Sequence, residues 1–236
     1  GRPEGDFAPP IDYPAGAGPY DLRPGDYNED GVVDLVVVNS GSGDVSVLIG
    51  IGDGAFAPQV RYATGSEPYS VGSADFDGDG IDDLVVGNGA SETISLLKGG
   101  GTSGVGDGTF TLVDSVSGVG QPRSVEVGDF DADGHADLAV ADYHGYVHLV
   151  RGMGDGTFHP LAGLAYSTTL TDIAVGNFNT DLWPDLAVSG YQTHVVGVYP
   201  LGCLLAPSPE ISSISPASGN PGALVSIEGR GFIEVG

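Results

Sequence analysis

The chain has 236 residues with 41 glycines, 16 prolines and 40% hydrophobic residues, and its 32 acidic against 7 basic side chains give a formal net charge of −25. The apolar content excludes a disordered chain, the charge repels nucleic acid and anionic membrane surfaces, and a single cysteine, Cys203, excludes an intrachain disulfide. No stretch approaches the ~18 apolar residues that cross a bilayer, and the opening Gly1-Arg-Pro-Glu-Gly-Asp-Phe7 lacks the apolar core of a signal peptide, as expected of a mature or trimmed form.

In chain order the first predicted element is a strand at residues 7–13, opened by Gly5-Asp6-Phe7. An acidic segment follows at 26–34, then apolar strands at 35–38 and 45–49, then Gly52-Asp53-Gly54, a strong hairpin signal, leading to Phe56. The series returns with a short strand at 70–74, an acidic segment at 75–83, strands at 84–86 and 93–97, and Gly106-Asp107-Gly108 before Phe110. It returns again with a strand at 124–127, an acidic segment at 129–137, strands at 138–140 and 147–150, and Gly154-Asp155-Gly156 before Phe158. A last acidic segment at 177–185 precedes strands at 186–188 and 195–199.

Four short strands recur about every 50 residues, with no sustained 3.6-residue apolar period, so helices should be scarce. This is the pattern of an all-β protein built as a β-propeller of four-stranded blades. The repeats span residues 1–203, a Pro/Ser linker covers 204–209, and a distinct segment fills 210–236. The fourth repeat ends near Pro200 without its own outer strand. Two readings stand: residues 7–13 complete the fourth blade and close a ring, or they belong to an upstream blade of a larger propeller.

The four acidic segments align residue by residue. Side-chain oxygens stand at positions 1, 3, 5 and 9: Asp26, Asn28, Asp30 and Asp34; Asp75, Asp77, Asp79 and Asp83; Asp129, Asp131, Asp133 and Asp137; Asn177, Asn179, Asp181 and Asp185. Calcium takes 6–8 hard oxygen ligands, with backbone carbonyls and water completing the side-chain set. Position 7 is the expected carbonyl donor: Val32, Ile81, His135 and Trp183. Position 6 is Gly31, Gly80 or Gly134, which permits a sharp turn at positive φ, but Leu182 in the fourth repeat. An EF-hand is excluded, because its bidentate glutamate at position 12 is here Val37, Val86, Val140 and Val188. The competing reading is a set of metal-free Asx turns. It leaves three or four converging carboxylates without a counter-charge. Three calcium sites are therefore expected, with a weaker or empty fourth that has only two carboxylates.

The segments Val-Gly-Asp129-Phe-Asp-Ala-Asp-Gly-His-Ala-Asp137-Leu and Leu-x-Gly-x-Gly-Asp-Gly-x-Phe resemble the FG-GAP/VCBS repeats of integrin-α-like β-propellers over residues 5–200. The resemblance implies a propeller, calcium in the blade loops, and an extracellular role in adhesion, ligand binding or scaffolding. Family propellers usually have about seven blades, where four repeats are visible here. The run Ile211-Ser-Ser-Ile214-Ser-Pro216 to Phe232 resembles the first strands of an IPT/TIG immunoglobulin-like domain. Such strands either continue into a longer chain or add to a neighbouring subunit.

No nucleophile elbow, Walker or Rossmann motif occurs, so no enzyme is expected. His144, His148 and Asp142 could share a strand face, and Trp183 and ten tyrosines are candidates for sugar stacking. No N-glycosylation signal appears. The expected function is thus a calcium-binding extracellular adhesion, scaffold or surface-assembly module with a protein or glycan ligand. The alternative is a lectin-like or accessory ligand-binding domain of a larger secreted protein.

Overall fold

The computed structural model describes residues 9–161, 163–166, 168–181, 183–191 and 195–200, together with the backbone of two paired strands, Glu210–Ser215 and Ser226–Arg230. It is all-β, with four antiparallel sheets arranged as the blades of a β-propeller. Blade one comprises Pro19–Gly25, Asp34–Asn39, Asp44–Leu48 and Val60–Ala63; blade two comprises Pro68–Ala74, Asp83–Asn88, Thr93–Thr102 and Val105–Ser117. Blade three comprises Pro122–Gly128, Asp137–Asp142, Tyr146–Gly152 and an outer strand broken into Phe158–Pro160 and Leu164–Ala165. Blade four shows Leu170–Gly176, Asp185–Gly190 and Val195–Tyr199.

The register repeats from blade to blade. The inner strand closes on the second strand at Gly25↔Asp34, Ala74↔Asp83, Gly128↔Asp137 and Gly176↔Asp185, so each acidic segment is the loop between these two strands. At the opposite end of every inner strand a bulge falls one residue into the pairing, at Tyr20, Tyr69, Arg123 and Thr171. The side chains that follow the bulges tie one blade to the next. Asp21 accepts from the Val71 amide at 3.1 Å, Ser70 from the Val125 amide at 3.1 Å, and the Ser124 hydroxyl donates to Asp172 at 2.7 Å.

Continuous Val/Leu/Ile runs make the central strands buried on both faces, as a sandwiched sheet requires. One apolar cluster joins blades one and two (Val38, Val45, Val71, Leu84), a second joins two and three (Val85, Ile94, Val125, Val140), and a third joins three and four (Ala139, Leu149, Ile173, Leu186).

Two expectations are corrected. Residues 9–13 form no strand, and residues 1–8 lie outside the described residues. Tyr13 instead packs edge-on against Phe56 of blade one at 5.3 Å, so residues 9–13 do not supply an outer strand to blade four. Among the described residues no core cluster joins blade four to blade one. The faces there are open: Leu22 is 61% exposed, where its counterparts Val71, Val125 and Ile173 are at most 2%.

The second correction concerns the Gly-Asp-Gly motif. In blade two it is not the hairpin turn. Ser103 and Gly104, at φ 57° and 76°, make the turn, and Gly106–Gly108 falls in a register shift of the outer strand. Five residues more separate Gly99 from Phe110 than separate Gly50 from Phe56. They lengthen the hairpin and push the motif into the strand. In blade one the motif is the turn of the Gly50–Gly52/Ala55–Phe56 hairpin, and in blades two and three it clips to the preceding blade. The Gly108 amide donates to the Tyr27 carbonyl at 3.1 Å and the Gly156 amide to the Phe76 carbonyl at 3.0 Å. Phe110 stacks edge-on against Tyr27 at 5.7 Å and Phe158 against Phe76 at 5.3 Å.

Candidate metal centres in the blade loops

Each loop folds as nested Asx turns. Asp75 accepts amide hydrogen bonds from Gly78, Asp79 and Gly80 at 2.8, 3.2 and 2.9 Å. Asp26 and Asp129 accept the corresponding bonds from Asp30 and Gly31 and from Asp133 and Gly134, all at 2.9–3.1 Å. Position 3 accepts the amide of position 5 in every loop, through Asn28, Asp77, Asp131 and Asn179. Position 5 accepts the amide of position 7: Val32, Ile81, His135 and Trp183 donate to Asp30, Asp79, Asp133 and Asp181 at 2.8–2.9 Å. Gly31, Gly80 and Gly134 hold φ near +85°, as a turn at position 6 needs. Leu182, which replaces them in loop four, lies outside the described residues.

Position 9 is the anchor. Asp34, Asp83 and Asp137 are buried, and each accepts two backbone amides with its two oxygens. For Asp137 these are Phe130 at 2.9 Å and Gly152 at 2.8 Å; for Asp83, Phe76 at 3.1 Å and Gly99 at 2.8 Å; for Asp34, Tyr27 at 2.9 Å and Gly50 at 2.7 Å. The Leu-x-Gly glycine is required here: a Cβ on Gly50, Gly99 or Gly152 would come within 2.0–2.4 Å of the carbonyl oxygen of loop position 8. Asp185 is likewise buried and accepts from Phe178 and Asn179 at 2.7 and 3.1 Å. Burial raises the carboxyls of Asp83 and Asp137 to about 6 in spite of the amide bonds.

Positions 1, 3 and 9 converge in two loops. Asp75, Asp77 and Asp83, and Asp129, Asp131 and Asp137, bring one oxygen each within 4.8 Å of one another. These are two clusters that could hold a metal ion. Position 5 turns outward to a cation that sequence reasoning missed. Lys98 pairs with Asp77 and with Asp79 at 2.7 Å. Arg151 pairs with Asp131 and Asp133, both at 2.7 Å. The Lys98 hydrogen bond holds Asp79 below the usual carboxylate range. The signal was in the sequence: the only lysine, Lys98, and Arg151 stand immediately before Gly99 and Gly152, where the first repeat has Ile49 before Gly50. Loop four satisfies itself differently. The Asn179 amide donates to Asp181 at 2.9 Å and Asp185 at 3.2 Å, and Asn177 donates to the Asp181 carbonyl.

The His/Asp pair of blade three is a strand clamp. His148 Nε2 lies 3.1 Å from buried Asp142. The equivalent positions of blades one and two hold Asn39 with Ser46 and Asn88 with Ser95, both at 2.9 Å.

Repeated four-stranded blades with an acidic loop after every inner strand define a β-propeller with candidate metal sites in its blade loops. A family model for the FG-GAP-like repeat matches residues 26–86 and 129–188, and one for the FG-GAP repeat matches 68–108. The chain belongs to the FG-GAP repeat family. No curated protein matches it. Among solved structures it is similar to a functionally unknown protein from Desulfotomaculum acetoxidans DSM 771, at TM-score 0.60 and 15% identity, covering 81% of this chain and 56% of that one. It is also similar to BBS1N, solved in complex with ARL6DN, at TM-score 0.50 and 13% identity, covering 79% and 58%. The chain thus spans little more than half of the structures it matches, and the likeness is one of fold.

Proposed function

We propose that this chain is a calcium-binding, non-enzymatic adhesion or scaffold module acting outside the cell or at its surface. The observation that carries the reading is the recurrence, at one blade position, of three converging carboxylates in loops two and three. Hard oxygen donors without nitrogen or sulfur favour calcium, and magnesium rarely uses an all-protein cage. Loop one, with Asn28 at position 3, is the third site, and loop four is the weakest. Calcium acts as a staple, since an ion bound only to the native state adds to its stability. Among the described residues no helix is long and apolar enough to cross a membrane. The paired strands Glu210–Ser215 and Ser226–Arg230 fit the start of an IPT/TIG-like domain, and self-assembly through them is part of the proposal.

The test is thermal unfolding with calcium and with excess EDTA, beside a count of bound calcium. Three ions per chain and a Tm lowered by ten degrees or more on chelation, on the order of 2–3 kcal/mol, are expected. An unchanged Tm with no bound calcium would overturn the reading.

A further inference from the structure

The loops occupy one end of the inner strands. The other end opens on a cleft of about 290 Å³ lined by Tyr20, Arg123, Tyr143, Thr169, Leu170, Thr171 and Tyr191, adjoining a polar central channel of about 410 Å³. Three observations set this mouth apart. First, Arg61, Lys98 and Arg151 each hold an acid, whereas among the described residues Arg23 and Arg123 form no ion pair, and Arg23 is spent on the Ser73 hydroxyl and the Val71 carbonyl. Of the channel acids, Asp21 accepts the Leu22 and Val71 amides, Asp172 the Ser124 hydroxyl and the Ile173 amide, and Glu126 lies in the field of Arg23. Second, Arg123 is stacked between two rings, 4.1 Å from the centroid of Tyr69 and 4.9 Å from that of Tyr143. Tyr20 packs on Tyr69 at 4.9 Å, and Tyr69 is fixed by its hydroxyl donating to Glu67 at 2.8 Å. Third, Tyr20, Tyr143 and Tyr191 are 62%, 45% and 74% exposed, so their free ring faces border the cleft.

A guanidinium packed on ring faces keeps in-plane N–H donors beyond the one it shares with the Tyr69 hydroxyl, the geometry that grips a carboxylate. Exposed phenol rings and the hydroxyls of Thr169 and Thr171 surround it, presenting flat apolar faces beside hydrogen-bonding groups. We propose that this mouth binds an acidic monosaccharide unit, a hexuronate, with its single carboxylate on Arg123 and its ring against Tyr143 and Tyr191. A polyhydroxylated ring matches hydroxyl-rimmed aromatic faces better than an extended acidic peptide does. A net charge of −25 also favours a ligand that brings one negative charge over a polyanion.

The test is titration of the full chain with D-glucuronate, D-glucose and N-acetyl-aspartyl amide, followed by heat or by chemical-shift changes, for the natural protein, Arg123→Gln and Tyr191→Ala. Glucuronate is expected to bind, with glucose and the Arg123→Gln variant at least about tenfold weaker. Tyr191→Ala is expected to weaken binding about threefold to tenfold at an unchanged Tm, because the side chain is exposed. Equal binding of glucose, tighter binding of the aspartyl amide, no binding of glucuronate, or unaltered affinity in both variants overturns the proposal.

Discussion

Asp34, Asp83, Asp137 and Asp185 were read as metal ligands from their spacing, and the structure gives them a second duty: each joins its loop to the backbone through buried amide bonds. The glycine beside this anchor tolerates no side chain. Gly152→Ala would place a Cβ 2.0 Å from the Ala136 carbonyl oxygen, and a loss of about 2–3 kcal/mol in denaturant unfolding is expected. Lys98 and Arg151 would compete with a metal ion in these loops. Each lies on two loop carboxylates that an incoming ion would have to recruit. Lys98→Met should therefore tighten calcium binding at loop two by about tenfold while lowering the Tm of the metal-free protein. Calcium titration followed by calorimetry reads both, and weaker calcium binding in the variant would mean that Lys98 supports the site.

At the scale of the strands, the second and third strands of each blade were legible because their apolar runs are short, regular and bounded by Gly and Asp, whereas the inner strand of blade one, Pro19–Gly25, carries two prolines and a single aliphatic side chain. The outer strands were not legible. They face solvent on one side, carry mixed residues, and range from Val60–Ala63 to the thirteen residues of Val105–Ser117. The partner of a motif was equally hidden: Gly-Asp-Gly-x-Phe is a turn by composition and a clip between blades by position. Position 2 of the loops shows how context decides a residue's worth. Tyr27, Phe76 and Phe130 are at most 3% exposed, yet Phe178 is 53% exposed. Phe130→Ala should cost about 3–5 kcal/mol, and Phe178→Ala less than about 1 kcal/mol. Urea unfolding of the two variants measures the difference. Equal losses would show that blade four's open face is covered in solution.

Over the whole molecule the charge is the governing quantity, and pH separates a metal-stapled propeller from one held by Asx turns. In the metal-free protein Asp83 and Asp137 titrate at about 6, well above the ~3.9 of an unfolded aspartate. A raised folded-state pKa means the native state holds its protons more tightly. The stability this gives is fully present below about pH 4 and is lost as pH rises through 6, on the order of 3 kcal/mol per residue. Under the proposed function calcium would reverse the sign, because it would bind the ionised carboxylates and draw protons off over the same window. With saturating calcium, then, stability should rise between pH 4 and 6; with EDTA it should fall. Chemical denaturation at pH 4, 5, 6 and 7 under both conditions resolves the two slopes. Parallel slopes would mean that the ion does not reach the buried position 9 carboxylates, and that Asp83 and Asp137 serve the fold through their backbone bonds alone.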